Sequence, residues 1–154
     1  SPMAKKRLRV VVLLSGKGRT LNNLFTYIDD GELEVDIVGV VSSRPDVFGL
    51  KIAEGREVPT AVVQPASFSN EEKFSTALTR KIKEWNPDLV VMAGFNVFYR
   101  VPPELRGKVM NIHPALLPSF GGKGFFGKKV HQAVLAVLFR EQMCLVIENE
   151  CRTI

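Results

Sequence analysis

The sequence predicts an α/β domain built on a doubly wound, mostly parallel sheet. Four short apolar runs alternate along the chain with segments of helical periodicity, and this alternation is typical of parallel sheets with crossover helices. The runs are rich in valine and leucine, as expected for strands buried on both faces. Right-handed crossovers between such strands would place helices on both faces of the sheet.

The predicted strands cover residues 8–14, 35–41, 60–63 and 89–93. Leu21, Leu24, Phe25 and Ile28 lie at helical spacing after the first strand. A short helix is predicted over 46–55, where a glycine closes it, and the longest helix over 70–85. Its predicted N-cap is Asn70, and its predicted buried stripe is formed by Phe74, Ala77, Leu78 and Ile82.

Length and composition favour a soluble protein with one core. The chain has 154 residues, of which 45% are hydrophobic, and its apolar runs are too short to cross a bilayer. The formal charge of +5 favours anionic ligands, but the basic residues are scattered and form no nucleic-acid-binding stripe. We therefore expect a small phosphorylated ligand, no nucleic acid and no membrane. No metal-ligand cluster occurs, so no metal is expected.

Two further features predict a cytoplasmic location. Cys144 and Cys151 are the two cysteines, and such a count favours free thiols in a reducing compartment. Residues 1–3 are typical of a tag remnant, and no signal peptide is expected.

A glycine turn at residues 15–20 follows the first strand and precedes the first helix. Gly16 and Gly18 would let the backbone approach a phosphate, and the helix N-terminus would attract it. Arg19 adds positive charge, while Thr20 could cap the helix or bind an oxygen. The alternative is an ordinary strand-to-helix turn with a capping threonine.

Asn111 and His113 stand two residues apart where a short apolar run ends at Pro114. On a strand, residues at this spacing point to the same face, with Ile112 packing the other way. An amide donor beside a protonated imidazole could stabilise an oxyanion. The alternative is a pair of strand-end side chains hydrogen-bonded to nearby backbone.

Two glycine-containing segments complete the predicted site. Residues 94–99 leave aromatic side chains at the end of the fourth strand, which favours either a slot for a flat ring or packing against a short helix near 103–105. Residues 119–127 contain four glycines and predict a mobile loop over the site. For His131, on a predicted helix over 130–138, a supporting role is favoured over chemistry.

Four motifs in order resemble the phosphoribosylglycinamide formyltransferase family. They are VLLSGKGRTL, VSSRPDVFGL, PDLVVMAGF, and NIHPALLP with the glycine loop and VHQA. The resemblance runs from Leu8 to about Leu135. It implies a Rossmann-like fold of the formyltransferase N-terminal type.

The resemblance also implies a reaction and its residues. A formyl group would pass from 10-formyltetrahydrofolate to the amine of 5'-phosphoribosylglycinamide in purine biosynthesis. Asn111 and His113 would be catalytic. Gly18, Arg19 and Thr20 would bind the substrate phosphate. Asn96, Val97, Phe98, Tyr99 and Asn111 would bind the folate.

The chain departs from the family in three respects. No aspartate follows Asp88, so the family's catalytic Asp has no counterpart. Val97 replaces an arginine, and Glu71 stands where the family often has one. We therefore divide the chain into a basic N-terminus at 1–7, a formyltransferase-like domain at 8–136 and a divergent tail at 137–154.

The alternative function is a non-catalytic phosphate- or folate-binding module. A homodimer is one way to cover a sheet edge left exposed.

Overall fold

The computed structural model describes residues 7–112, 143–147 and 150–153. His113, the 119–127 loop, His131 and the predicted helix over 130–138 lie outside these ranges.

The strands form one sheet of order β3-β2-β1-β4-β5-β6-β7. Their bounds are Leu8–Leu14 (β1), Val35–Ser42 (β2), Thr60–Val62 (β3), Leu89–Ala93 (β4), Val109–Ile112 (β5), Met143–Ile147 (β6) and Glu150–Thr153 (β7). Strands β1 to β5 pair in parallel. The predicted mostly parallel, doubly wound sheet is therefore confirmed, with β5 as its fifth parallel strand.

The tail adds an element that the sequence did not predict. Strand β6 pairs antiparallel with β5, and β7 pairs antiparallel with β6. Consequently β5 has a neighbour on each side, and β7 is one of the two edge strands, with β3 at the opposite edge.

Within the described ranges, three α-helices cover the sheet: Arg19–Asp29 (α1), Phe48–Gly55 (α2) and Glu71–Glu84 (α3). Side chains of α1 and α2 pack on one face of the sheet, with Val12 of β1 and Ile112 of β5. Side chains of α3 pack on the opposite face, with Val11 of β1 and Val109 of β5. Short 3-10 turns cover Pro65–Ser67 and Pro103–Leu105.

The helices differ in detail from the prediction. Helix α2 begins at Phe48 instead of residue 46, because Asp46 has a left-handed φ of 58° that cannot start a helix. Gly55 ends α2 but Arg56 caps it. The Asn70 cap of α3 is confirmed, since its Oδ1 accepts from the Lys73 N–H at 2.8 Å. In the buried stripe Ala77 is only half-buried, whereas Ser75 and Thr79 are buried.

A close contact between Gly39 and Trp85 joins β2 to the end of α3. The pairing of β1 with β2 shifts between Val10 and Val11, which leaves Val38 as an extra residue on β2. A Cβ at Gly39 would overlap the six-membered ring of Trp85. The indole therefore lies directly on the strand backbone, a position that only a glycine permits.

No helix within the described ranges has the length and hydropathy needed to span a membrane.

Candidate active site

The carboxyl ends of β1, β2, β4 and β5 meet at one edge of the sheet, where open parallel sheets bind their ligands. The glycine turn at 15–20 follows β1, and the 94–99 segment follows β4. Asn111 lies on β5. All predicted site residues within the described ranges therefore lie near the carboxyl ends of the parallel strands.

In the glycine turn, the backbone and not a side chain caps helix α1. Gly18 has a φ of 75° and precedes the first helical residue, Arg19, with no capping side chain. Its carbonyl accepts from the Asn22 N–H at 2.8 Å. Thr20 is the second residue of the helix, so it is not the N-cap. The N–H groups of the first helical turn are left without a capping side chain, the arrangement that binds anions. The exposed Arg19 side chain adds positive charge there.

Helix α2 fixes the shape of this turn through Gly49. The Gly49 N–H donates to the Gly16 carbonyl at 3.0 Å. A Cβ at Gly18 would lie 2.6 Å from the Gly49 Cα, so the two backbones are in contact. The hydrogen bond and the backbone contact together hold the turn in one position against α2.

A buried serine connects the turn to two other strand ends. The Ser15 N–H donates to the Gly94 carbonyl at 3.0 Å. Its hydroxyl lies 2.5 Å from that of Ser43 and accepts from the Asn96 N–H at 2.9 Å. Both serines are almost inaccessible to solvent. The glycine turn and the 94–99 segment are thus joined by two hydrogen bonds.

Sequence reasoning did not identify Ser15 and Ser43 as contributors to the site. Ser15 follows directly on the buried apolar residues of β1, and Ser43 follows the buried Ser42 that ends β2. The signal in the sequence was a serine at the end of each of two predicted buried strands.

The four residues at 96–99 have different environments. Asn96 is exposed, Val97 is half-buried, and Phe98 has 43% of its surface exposed. The Phe98 ring has the Arg100 guanidinium 5.7 Å from its centroid. The surface that a flat ligand could meet therefore comes from Asn96 and Phe98.

Tyr99 instead belongs to the core. Its hydroxyl is 2.6 Å from the Thr79 Oγ1 of α3. Burial raises the pKa of Tyr99 to about 12, although the Thr79 hydrogen bond opposes this increase and the charge of Glu104 adds to it. Its structural role is to attach the 94–99 segment to α3.

Asn111 lies on β5 opposite Met92 of β4 and Cys144 of β6. It is half-buried. Ile112 packs on the α1 side of the sheet, as predicted, so by strand alternation Asn111 faces the α3 side. Because β4 separates β5 from β1, the two strands are about 10 Å apart. A small substrate could span this distance. His113, its predicted partner, is outside the described residues.

Among the described residues, no group of three or more His, Cys, Asp or Glu side chains could hold a metal ion. The carboxyl end of the sheet presents the backbone N–H groups of the glycine turn, the amides of Asn96 and Asn111, and the Arg19 guanidinium. Such groups bind oxyanions and polarise carbonyls.

The sequence model of one family, described as Formyl transferase, matches residues 8–137. Relatives include the trifunctional purine biosynthetic protein adenosine-3 of Drosophila melanogaster, 36% identical over 124 residues. That match covers 78% of this chain and 9% of the relative. The chloroplastic phosphoribosylglycinamide formyltransferase of Arabidopsis thaliana is 33% identical over 135 residues, which cover 84% of this chain and 46% of the relative.

Solved structures of formyltransferases are also similar to this chain. The phosphoribosylglycinamide formyltransferase of Coxiella burnetii is 30% identical with a TM-score of 0.70, covering 93% of this chain and 67% of that one. Glycinamide ribonucleotide transformylase 1 of Symbiobacterium toebii is 32% identical with a TM-score of 0.67, and the match covers 74% of this chain and 55% of that one. The chain thus spans from about a tenth to about half of the length of these curated relatives. With most of its residues matched by the family's sequence model, the chain belongs to the formyl transferase family.

Proposed function

We propose that this chain is a phosphoribosylglycinamide formyltransferase, which transfers a formyl group from 10-formyltetrahydrofolate to the amine of 5'-phosphoribosylglycinamide in purine biosynthesis. The observation that carries the proposal is the hydrogen bonding of Ser15 to Gly94 and Asn96. It holds a turn suited to a phosphate against a segment suited to a flat ring. A two-substrate transfer needs both ligands fixed side by side.

The substrate phosphate would bind at the N-terminus of α1. There the N–H groups at Gly18, Arg19 and Thr20, together with the Arg19 guanidinium, supply donors and positive charge. The folate ring would lie along Asn96 and Phe98. Its formyl group would then point towards Asn111.

In the reaction, the amine attacks the formyl carbon and the carbonyl oxygen becomes an oxyanion. The Asn111 amide would donate to this oxygen, and protonated His113 would stabilise its charge. Collapse breaks the bond to the folate nitrogen. The attacking amine loses a proton and the folate nitrogen gains one. The family's aspartate, which would help move these protons, has no counterpart after Asp88. We therefore expect slower transfer, since loss of an orienting carboxylate can cost orders of magnitude.

The test is a formyl-transfer assay on the full chain with both substrates. Removing one donor to a developing oxyanion typically lowers kcat by about 100- to 1,000-fold. We expect Asn111→Ala and His113→Ala to reach this range. Asn23→Ala, at an exposed position on α1, is the matched control and should retain the parent rate.

Two other outcomes are informative. Equal, measurable rates in the parent and in both variants would show that these residues do not carry the chemistry. Saturable binding of both ligands with no turnover would favour the non-catalytic module instead. Calorimetric titration with each ligand distinguishes that case from a chain that binds neither.

We also propose a cytoplasmic homodimer. The count of two cysteines supports free thiols and a reducing compartment. Among the described strands β7 lies at an edge of the sheet, where a second copy could pair with its backbone. Light scattering should give twice the 17.1 kDa chain mass, and a monomeric mass at micromolar concentration would contradict the dimer.

A further inference from the structure

A groove of about 640 Å³ runs between α3 and the 100–106 segment. Helix α3 packs on the face of the sheet opposite α1, so this groove is separate from the glycine turn. Its volume is in the range of small-molecule sites. We call it the α3 groove.

Two hydrogen bonds from α3 fix the width of the groove. The Ser75 hydroxyl accepts from the Arg100 N–H at 2.9 Å, and the Thr79 hydroxyl bonds to that of Tyr99 at 2.6 Å. Ser75 and Thr79 are one helical turn apart and both are buried. The two walls are therefore connected beneath the groove, which is preformed.

The groove has more positive than negative charge. Four cationic side chains line it, together with two carboxylates, Glu72 and Glu104. Glu104 has Lys83 at 3.6 Å. Glu72 lies in the first turn of α3, where the helix N-terminus stabilises a carboxylate. Both carboxylates therefore have a favourable partner already.

Three guanidinium groups remain: those of Arg80, Arg100 and Arg106. Within the described part of the chain, no carboxylate lies within ion-pair distance of any of them. Arg100 is packed over the Phe98 ring, which restricts its side chain. Guanidinium groups bind phosphates and carboxylates through paired hydrogen bonds.

We propose that the α3 groove binds a small molecule with at least two anionic groups, held by Arg80, Arg100 and Arg106. The shared chemistry is that of a pair of phosphates or carboxylates spaced to reach more than one guanidinium. Because the arginines are exposed, binding weakens as ionic strength rises. The proposal does not depend on formyl transfer, since no residue of that reaction lines the groove.

The test is calorimetric titration of the full chain with pyrophosphate and, separately, with citrate at low ionic strength. Arg80→Gln and Arg106→Gln should each weaken binding about twofold to fivefold, and the double variant more than either. Lys51→Gln removes the same charge from an exposed position on α2 and should bind like the parent. Unchanged thermal midpoints without ligand would show that the variants are folded.

A parallel series in an Arg19→Gln background separates this groove from the glycine turn. We expect the arginine effects to persist there. Pyrophosphate binding alone would assign the groove to a phosphorylated ligand, citrate binding alone to a polycarboxylate, and both to polyanions in general. If neither probe saturates, or if the double variant binds like Lys51→Gln, the proposal is wrong.

Discussion

The backbone N–H of Asn96 donates a 2.9 Å hydrogen bond to the hydroxyl of Ser15, although the two residues follow different strands. The same hydroxyl is bonded to Ser43 at the end of a third strand. One buried oxygen thus holds together the ends of β1, β2 and β4. Whatever binds to the glycine turn therefore also depends on the position of the 94–99 segment.

Ser15→Ala should lower both stability and affinity. It leaves the Asn96 N–H and the buried Ser43 hydroxyl without this partner, and an unsatisfied buried polar group costs about 1 to 3 kcal/mol. Urea denaturation should show this loss, and titration should show weaker binding of both ligands. The exposed Ser67→Ala is the control. Equal stability in the two variants would contradict a structural role for the Ser15 hydroxyl.

Gly49→Ala should distort the glycine turn, whereas Gly55→Ala in the same helix should not. A Cβ at Gly49 would lie 2.7 Å from a Leu14 methyl and 2.9 Å from the Gly16 carbonyl oxygen, while one at Gly55 would meet nothing within 4 Å. We expect a loss of about 1 to 3 kcal/mol from overpacking at Gly49. At Gly55 we expect a gain of about 0.5 to 1 kcal/mol. Thermal unfolding of both variants measures the contrast, and similar midpoints would refute it.

Gly39→Ala should displace the indole of Trp85. The new methyl group would overlap the ring, so either the strand or the helix end must move, at about 1 to 3 kcal/mol. Trp85 is the chain's single tryptophan, so tryptophan fluorescence comes from this indole only. We expect a red-shifted emission maximum and a lower free energy of unfolding. An unchanged spectrum and unchanged stability would show that the strand tolerates the methyl group.

Tyr99 should contribute a loss of stability at high pH. Its pKa is about 12 in the folded chain and about 10 in the unfolded chain, so the unfolded state loses its proton first as pH rises. The stabilisation is complete below pH 10 and is lost as pH rises through 12. At pH 11 the loss should be about 1 kcal/mol relative to pH 9. Urea denaturation should show that the parent's free energy of unfolding exceeds that of Tyr99→Phe by less at pH 11 than at pH 9, and that the decrease is of this size. A constant difference would mean that Tyr99 titrates normally.

The parallel strands could be predicted because local sequence determines them. Strand β4 is a continuous apolar run buried on both faces, and so is β1 from Val10 onwards, after the half-buried Leu8 and Arg9. Asn70 could be predicted as a cap because its oxygen bonds within the same helical turn. These features need no knowledge of distant residues.

The remaining features depend on contacts between distant parts of the chain. Gly49 of α2 contacts the turn after β1, more than 30 residues earlier in the chain. Tyr99 points into the core because Thr79 bonds to its hydroxyl. Strand β6 exists as a strand because β5 offers it an edge. None of these pairings is encoded in a local pattern.

The central position of β1 between β2 and β4 has a consequence for synthesis on the ribosome. Both neighbours follow β1 in the chain, and β4 follows it only after three connections, the last of which runs from β3 through α3 back to the other side of β1. During translation one edge of this apolar strand stays open until Leu89–Ala93 has emerged. A nascent chain that pauses before that point exposes an edge on which aggregation can start.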